Sequence, residues 1–144
     1  TKAIPILNTI PLPIDCSQIP LVKNENEKLT ILHGLNREEF KGSDVIVKAL
    51  TAIEKKFKDK VKIVIVERVP LIEYLEILST TDIVIDQCKT YSYGMNALFA
   101  MAMGKVVFSG NEFECGVEFK RDDIPVINIR PCEVNVFQTI DGHP

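Results

Sequence analysis

The stretch 91–105 constrains the fold of this chain more than any other. It reads YSYGMNALFAMAMGK, so a polar loop containing a glycine leads directly into a run of small and apolar residues that Gly104 ends. Such a run predicts a short helix that is apolar on every side, and a helix of that kind must be buried. Because apolar runs stand before it at 83–85 and after it at 106–108, the helix is predicted to connect two strands of a buried sheet.

The same alternation of strand and helix patterns extends through most of the chain. Short apolar runs predict strands at 29–32, 61–66, 83–85, 106–108 and 126–129. Helical spacing predicts helices at 43–57 with Ser43 as N-cap, at about 70–78 with Pro70 at its start, at 95–103 and at 134–140. The second of these helices places Leu71, Leu75 and Leu78 on its inner stripe. The β-branched run 61–66 is typical of a strand buried on both faces, and 111–123 is predicted to be irregular or partly helical.

Repeated strand–helix units predict an α/β domain, a doubly wound parallel sheet of the Rossmann-like class, at residues 29–144. Residues 1–28 are predicted to be a linker and edge segment, because four prolines interrupt regular structure there. In such sheets ligands bind outside the carboxyl ends of the strands. We therefore expect the site among the loops 33–42, 67–70, 86–94 and 109–116.

The composition argues against several classes of protein. A net charge of −3 over 144 residues argues against nucleic acid as the main partner, since a binding face for it needs an excess of Lys and Arg. No apolar run approaches the roughly 20 residues that span a membrane, and no signal-peptide pattern is visible. Four widely spaced cysteines without a CxxC pair are typical of reduced thiols in a cytosolic protein.

The start of the helix at 95 predicts a site for a phosphorylated small molecule. Its N-terminus would direct free N–H groups and the positive end of the helix dipole into the crevice at the strand ends. Lys41, with Arg37 nearby, could meet a diphosphate from the opposite loop. The alternative is a solvated lysine on a mobile loop. The chain contains neither GxxxxGK[ST] nor GxGxxG, so neither a P-loop nor a dinucleotide fingerprint is indicated.

Other polar and aromatic residues in these loops each allow two interpretations. His33 could contact a ligand or act as a base, or it could be a core histidine bonded to backbone. Asp86-Gln87 could bind a sugar hydroxyl, or Asp86 could simply form a turn. Tyr91, Tyr93 and Phe99 could stack on a base or sugar, or could pack the helix on the sheet. The spacing of His33, Asp86 and Cys88 fits no familiar zinc pattern. No catalytic residue can be assigned, and His143 is incidental.

Several short strings, taken in order, resemble the C-terminal, donor-binding domain of retaining GT-B glycosyltransferases, especially glycosyltransferase family 4. They are PLPID at 11–15, HG at 33–34 with KG at 41–42, VP at 69–70 with Tyr74, DIVIDQ at 82–87, and YG at 93–94 followed by AMAMGK at 100–105. The resemblance covers about residues 9–130. It rests on the order and spacing of the strings, since each is short.

The resemblance implies a hexosyltransferase of polysaccharide or lipid-linked saccharide synthesis that uses a nucleotide-diphosphate sugar and needs no metal or other cofactor. Lys41 and Arg37 would face the diphosphate, as would the backbone of Gly94 and Met95, and Val69-Pro70 would lie against the nucleobase. The string at 11–15 resembles the family's interdomain connection, so the N-terminal acceptor domain is expected to be absent from this chain. The chain alone is then expected to be inactive. The resemblance also implies a cytoplasmic protein, with peripheral contact to the inner membrane face in the full-length protein.

Two positions depart from the family's pattern of two glutamates, which contact the sugar and the ribose. They are Tyr91 and Phe99 in this chain. Losing the second acceptor leaves ribose hydroxyls unpaired, at a cost on the order of 1–3 kcal/mol. This favours a second hypothesis, a degenerate nucleotide-sugar-binding or structural module without catalysis. A third is an unrelated flavodoxin-like or receiver-like domain, although the acidic cluster of a receiver is missing after the first predicted strand.

Overall fold

The computed structural model describes residues 14–142. Predicted features that fall at residues 1–13 and at His143, including most of the string at 11–15, lie outside this range. The strands are β1 (Leu29–Gly34), β2 (Val61–Val66), β3 (Ile83–Ile85), β4 (Val106–Ser109) and β5 (Ile127–Asn128). The α-helices are α1 (Glu38–Lys41), α2 (Ser43–Phe57), α3 (Leu71–Ser79), α4 (Met95–Ala102), α5 (Phe113–Phe119) and α6 (Glu133–Asp141). Two short 3-10 turns stand at Cys16–Gln18 and Lys58–Lys60.

The five strands form one parallel sheet in the order β2-β1-β3-β4-β5. Helices cover both faces, so the predicted doubly wound, Rossmann-like α/β class is confirmed. The order reverses between β1 and β3, as in flavodoxin-like sheets, and ligands of such sheets bind at that point. No helix within the described range combines the length and apolar character needed to cross a membrane.

Two apolar clusters hold the helices on the sheet. On one face Ile31 and Phe108 pack with the apolar residues of α2 and α6. On the other face Leu32 and Val84 pack with α3 and α4. Neighbouring residues of a strand point to opposite faces, so each central strand contributes to both clusters. The carboxyl ends of these strands are thereby held at one edge of the sheet.

Three local predictions are wrong. The strand β2 lies at the edge of the sheet, and it is only partly buried, with Ile65 41% exposed. Leu71 is 53% exposed because the inner stripe of α3 is formed by Tyr74 and Leu78. Ser43 is the first residue of α2 and not its N-cap, which is Gly42 in a left-handed conformation with φ of 78°.

The helix α4 is less completely buried than its composition predicts. Ala97 and Ala100 are fully buried against the sheet, whereas Met95 is exposed at the first turn. The reason is position: the first turn of α4 begins beside Asp86, just after β3 ends, and so stands at the rim of the sheet. All four cysteines of the chain are unpaired.

Candidate functional site

A cavity of about 670 Å³ lies beyond the carboxyl ends of β1 and β3, at the point where the strand order reverses. One wall is the loop that leads into α1, and the other is the loop that leads from β3 into α4. Predicted site residues from both walls line it, namely Arg37, Lys41, Tyr91, Tyr93, Gly94 and Met95. The structure thus brings together the two loops in which the sequence placed a phosphate ligand.

A buried ion pair joins the two walls. Lys41 Nζ lies 3.3 Å from Asp86 Oδ1, and the side chains are 9% and 1% exposed. The backbone carbonyl of Lys41 also accepts a hydrogen bond from the N–H of Cys88 at 2.8 Å. Lys41 is therefore held in place by its backbone and its ammonium together, which a solvated loop lysine would not be.

Asp86 also caps the start of α4. Its Oδ2 accepts hydrogen bonds from the backbone N–H of Gly94 at 2.7 Å and from Ser109 Oγ at 3.2 Å. A carboxylate is favourable at a helix N-terminus, and here it occupies part of the position predicted for a phosphate. Both oxygens are thus engaged by protein donors, and the sugar-binding interpretation of Asp86 stays a prediction.

His33 is a core histidine. Both ring nitrogens are bonded, Nδ1 to the carbonyl of Ile85 at 2.7 Å and Nε2 to Ser43 Oγ at 2.9 Å. A carbonyl can only accept, so Nδ1 carries the proton and Nε2 accepts from the Ser43 hydroxyl. Burial lowers the pKa of His33 below its ordinary value, so the ring is neutral near pH 7 and takes no part in ligand chemistry.

Cys88 lies in the loop that leads from β3 into α4, and its thiol is unreactive. It is 2% exposed, and burial raises the pKa of its thiol to about 11. A thiol with so high a pKa is a poor nucleophile at neutral pH. Within residues 14–142, no group of three or more His, Cys, Asp or Glu side chains could hold a metal ion.

The two tyrosines differ in their surroundings. Tyr93 stacks on Phe119, with ring centroids 5.1 Å apart and planes 17° apart, and burial raises its pKa. Tyr91 is 48% exposed, and its pKa is raised chiefly by a hydrogen bond with Glu118. Tyr93 is fixed by packing, while the exposed ring of Tyr91 is available to a ligand in the cavity.

Three predicted site residues do not line this cavity. Phe99 and Val69 are half-buried and pack against the cluster formed by α3, α4 and the sheet. Pro70 is exposed and stands at the N-cap position of α3. For Phe99 the arrangement follows the second interpretation above, in which the ring packs the helix on the sheet.

Sequence analysis missed several residues of the cavity wall, among them Asn36, Phe40, Lys89 and Asn96. Asn36 also connects two loops, since its Oδ1 accepts the backbone N–H of Arg68 at 3.0 Å. Arg37 and Arg68 both adopt left-handed backbone conformations, with φ of 59° and 50°. An Asn two residues after a strand was the available signal, because that residue type is common in turns that reverse the chain.

A second cavity, of about 540 Å³, lies beside α5. Two of the charged residues in its wall are satisfied within the protein, Arg121 by Asp123 at 2.8 Å and Glu112 by Arg130 at 3.1 Å. It also lacks a position at the reversal of strand order. The cavity beyond the carboxyl ends of β1 and β3 is therefore the better candidate site.

Comparisons with protein-family models and with curated protein sequences yield no match. The assignment of function depends on the geometry of the cavity.

Proposed function

We propose that this chain binds a nucleotide-diphosphate sugar and acts as the donor-binding domain of a retaining glycosyltransferase. The observation that carries the proposal is the cavity at the reversal of strand order. It combines two cationic side chains on one wall with the start of α4 on the other. Cationic donors that face a helix N-terminus suit a diphosphate. Because Asp86 accepts the N–H of Gly94, the N–H groups after Gly94 would be the ones that bind it.

The two cations would have different tasks. Lys41 is held in place by its ion pair with Asp86, so its ammonium would meet a phosphate oxygen as a preoriented hydrogen-bond donor at little entropic cost. Arg37 is exposed and forms no ion pair with any residue between 14 and 142. Its guanidinium is therefore free to bind phosphate oxygens bidentately when the ligand arrives.

In such a transfer the bond between the sugar and the diphosphate breaks, and negative charge grows on the leaving phosphate. Lys41, Arg37 and the dipole of α4 would stabilise that charge. The saccharide or lipid-linked acceptor would bind outside this domain. No residue of the described range is assigned as a general base, so the proposed role of this chain is to bind and orient the donor.

The test is a calorimetric and NMR titration of the chain with UDP, GDP and ADP. We expect saturable binding of one of them, with chemical shift changes centred on Lys41 and Gly94. Arg37→Ala should weaken that binding about tenfold, the loss of one charge-assisted contact. Lys28→Ala is the matched control. Lys28 is exposed and precedes β1, so it lies at the amino ends of the strands, opposite the end that carries the cavity.

A second candidate is a degenerate module that supports assembly without catalysis. The observation that favours it is Phe99, which packs into the apolar cluster at the position where the resembling family has a ribose-binding glutamate. A folded chain that binds none of the three nucleotides at millimolar concentration would contradict the first proposal and support this one.

A further inference from the structure

Gln87 presents an oriented hydrogen-bond acceptor at the cavity. The residue follows Asp86 at the end of β3 and is 5% exposed. Its Nε2 donates to the backbone carbonyl of Ser92 at 2.7 Å. A carbonyl accepts only, so this bond fixes which end of the amide carries the nitrogen. No donor among residues 14–142 bonds to the remaining atom, Oε1.

The unused oxygen lies beside the start of α4. Gln87 lines the cavity, and its Oε1 is 3.5 Å from the position that a Cβ on Gly94 would take. Its neighbour Asp86 differs, since both of its carboxylate oxygens already accept bonds from protein groups. Gln87 Oε1 thus follows β3 as an acceptor that no described protein donor uses.

The chemistry of this acceptor is selective. A phosphate oxygen near neutral pH carries no proton to donate, so Oε1 gains nothing from the diphosphate itself. A sugar hydroxyl can donate, and a neutral amide next to bound phosphate avoids the repulsion that a carboxylate would cause. A buried acceptor left unpaired in a complex is costly, so it discriminates strongly against ligands that lack the hydroxyl.

We propose that Gln87 is a specificity-determining residue, whose Oε1 accepts a hydrogen bond from a hydroxyl of a sugar ring adjoining the diphosphate. This inference rests on the proposed function and names a contact within that site. The ring is either the ribose of the nucleotide or the transferred sugar, which share this chemistry.

Paired ligands distinguish the two rings. The reference ligand is whichever of UDP, GDP and ADP the wild type binds best. Calorimetry would compare its affinity with those of its 2′-deoxy and 3′-deoxy forms. It would also compare it with the affinity of the nucleotide sugar of the same base, which is UDP-glucose, GDP-mannose or ADP-glucose. The variant is Gln87→Met, which keeps the side-chain length and removes the acceptor. If the contact is to the ribose, one deoxy form should bind the wild type about five- to tenfold more weakly than the unmodified nucleotide does. The Gln87→Met variant should bind that deoxy form and the unmodified nucleotide equally well. A contact to the transferred sugar predicts that the variant loses the advantage of the nucleotide sugar by the same factor.

A purely structural role for Gln87 predicts a different result. The bond to Ser92 would then be the only contribution, so Gln87→Met would weaken all ligands equally and leave every hydroxyl effect unchanged. That outcome overturns the inference while the proposed function stands. If Gln87→Met does not fold, Gln87→Asn repeats the test, because its shorter amide withdraws the oxygen. Failure of the wild type to bind any of the three diphosphates overturns both proposals.

Discussion

At the scale of single residues, His33 shows how the surroundings of a side chain determine its role. His33 is a residue of β1, and its two ring nitrogens bond the carbonyl of Ile85 on β3 and the hydroxyl of Ser43. Protonating the ring would put a donor where Nε2 now accepts, inside a fully buried site. The same Ser43 that the sequence suggested as a helix cap thus bonds the imidazole inside the core.

The depressed pKa of His33 predicts that stability falls in mild acid. Burial is the main cause of the lowered pKa, and in the unfolded chain the ring titrates near 6.5. As pH falls below that value, the ring binds a proton in the unfolded state more readily than in the folded state, so the free energy of unfolding decreases. Urea unfolding at about pH 7.5 and about pH 5.5, in a His143→Gln background, measures the slope. An equal slope in His33→Gln would contradict this assignment.

Gly110 predicts a second effect at the residue scale. A Cβ there would lie 1.9 Å from the carbonyl oxygen of Thr90, a backbone atom that cannot rotate away. Gly110→Ala should therefore force apart β4 and the loop before α4, lowering the free energy of unfolding by about 3 kcal/mol. Gly34→Ala is the matched control, since its Cβ would meet Asn96 Nδ2 at an ordinary 3.5 Å. Chemical denaturation measures the free energy of unfolding of both variants. A loss in Gly110→Ala as small as that in Gly34→Ala would show that the close approach is relieved easily.

At the scale of elements, β2 and β3 look alike in sequence and differ in position. Each is a short run of β-branched residues, and a pattern of this kind predicts a strand without specifying its neighbours. In the sheet β3 is flanked by β1 and β4, whereas β2 has β1 on one side only. The prediction that β2 is buried on both faces was wrong, because the order of strands in a sheet depends on packing between distant segments.

Two isoleucines paired with the same residue test this difference. His33 is opposite Ile65 on β2 and opposite Ile85 on β3. Ile85 is fully buried, so Ile85→Thr should cost about 3 kcal/mol through lost apolar contact and a buried hydroxyl. Ile65 is 41% exposed, and Ile65→Thr should cost less than about 1 kcal/mol. Equal losses on urea unfolding would mean that another surface covers β2.

The candidate site was predictable to a similar extent. Loops that follow strands, a lysine before Gly42 and a glycine before α4 are local features, and they placed the expected site in the two loops that line the cavity. The network that joins those walls was not predictable, because Lys41 and Asp86 are 45 residues apart. The orientation of the Gln87 amide likewise depends on a loop carbonyl that no sequence pattern marks.

At the scale of the whole molecule, the described part of the segment predicted to be a linker is fixed to the domain. The backbone N–H of Val22 bonds to the carbonyl of Met103 at 3.2 Å. Asn24 Nδ2 donates to the carbonyl of Thr80 and to Asp82 Oδ2, both at 2.9 Å. The prolines, which interrupt regular structure, indicated a linker and edge segment there. Bonds from distant loops hold it in place.

Lys105 is central to that attachment. Its ammonium donates to the carbonyl of Val22 at 2.7 Å and to that of Ser79 at 3.2 Å. Lys105→Ala should remove two charge-assisted hydrogen bonds and lower the free energy of unfolding by about 2 kcal/mol. Because the loss is local, the segment before β1 should also open more often than the rest of the domain.

Limited proteolysis with chymotrypsin measures that opening, because Leu21 is exposed within the segment. Cleavage near Leu21 should be faster in Lys105→Ala than in wild type, while the domain beyond β1 stays intact. Lys48→Ala, which removes an exposed lysine from α2, should leave the cleavage rate unchanged. If Lys105→Ala instead accelerates cleavage throughout the chain in proportion to its loss of global stability, the segment unfolds only with the whole domain. Lys105 would then stabilise the molecule as one unit and would not act as a local attachment.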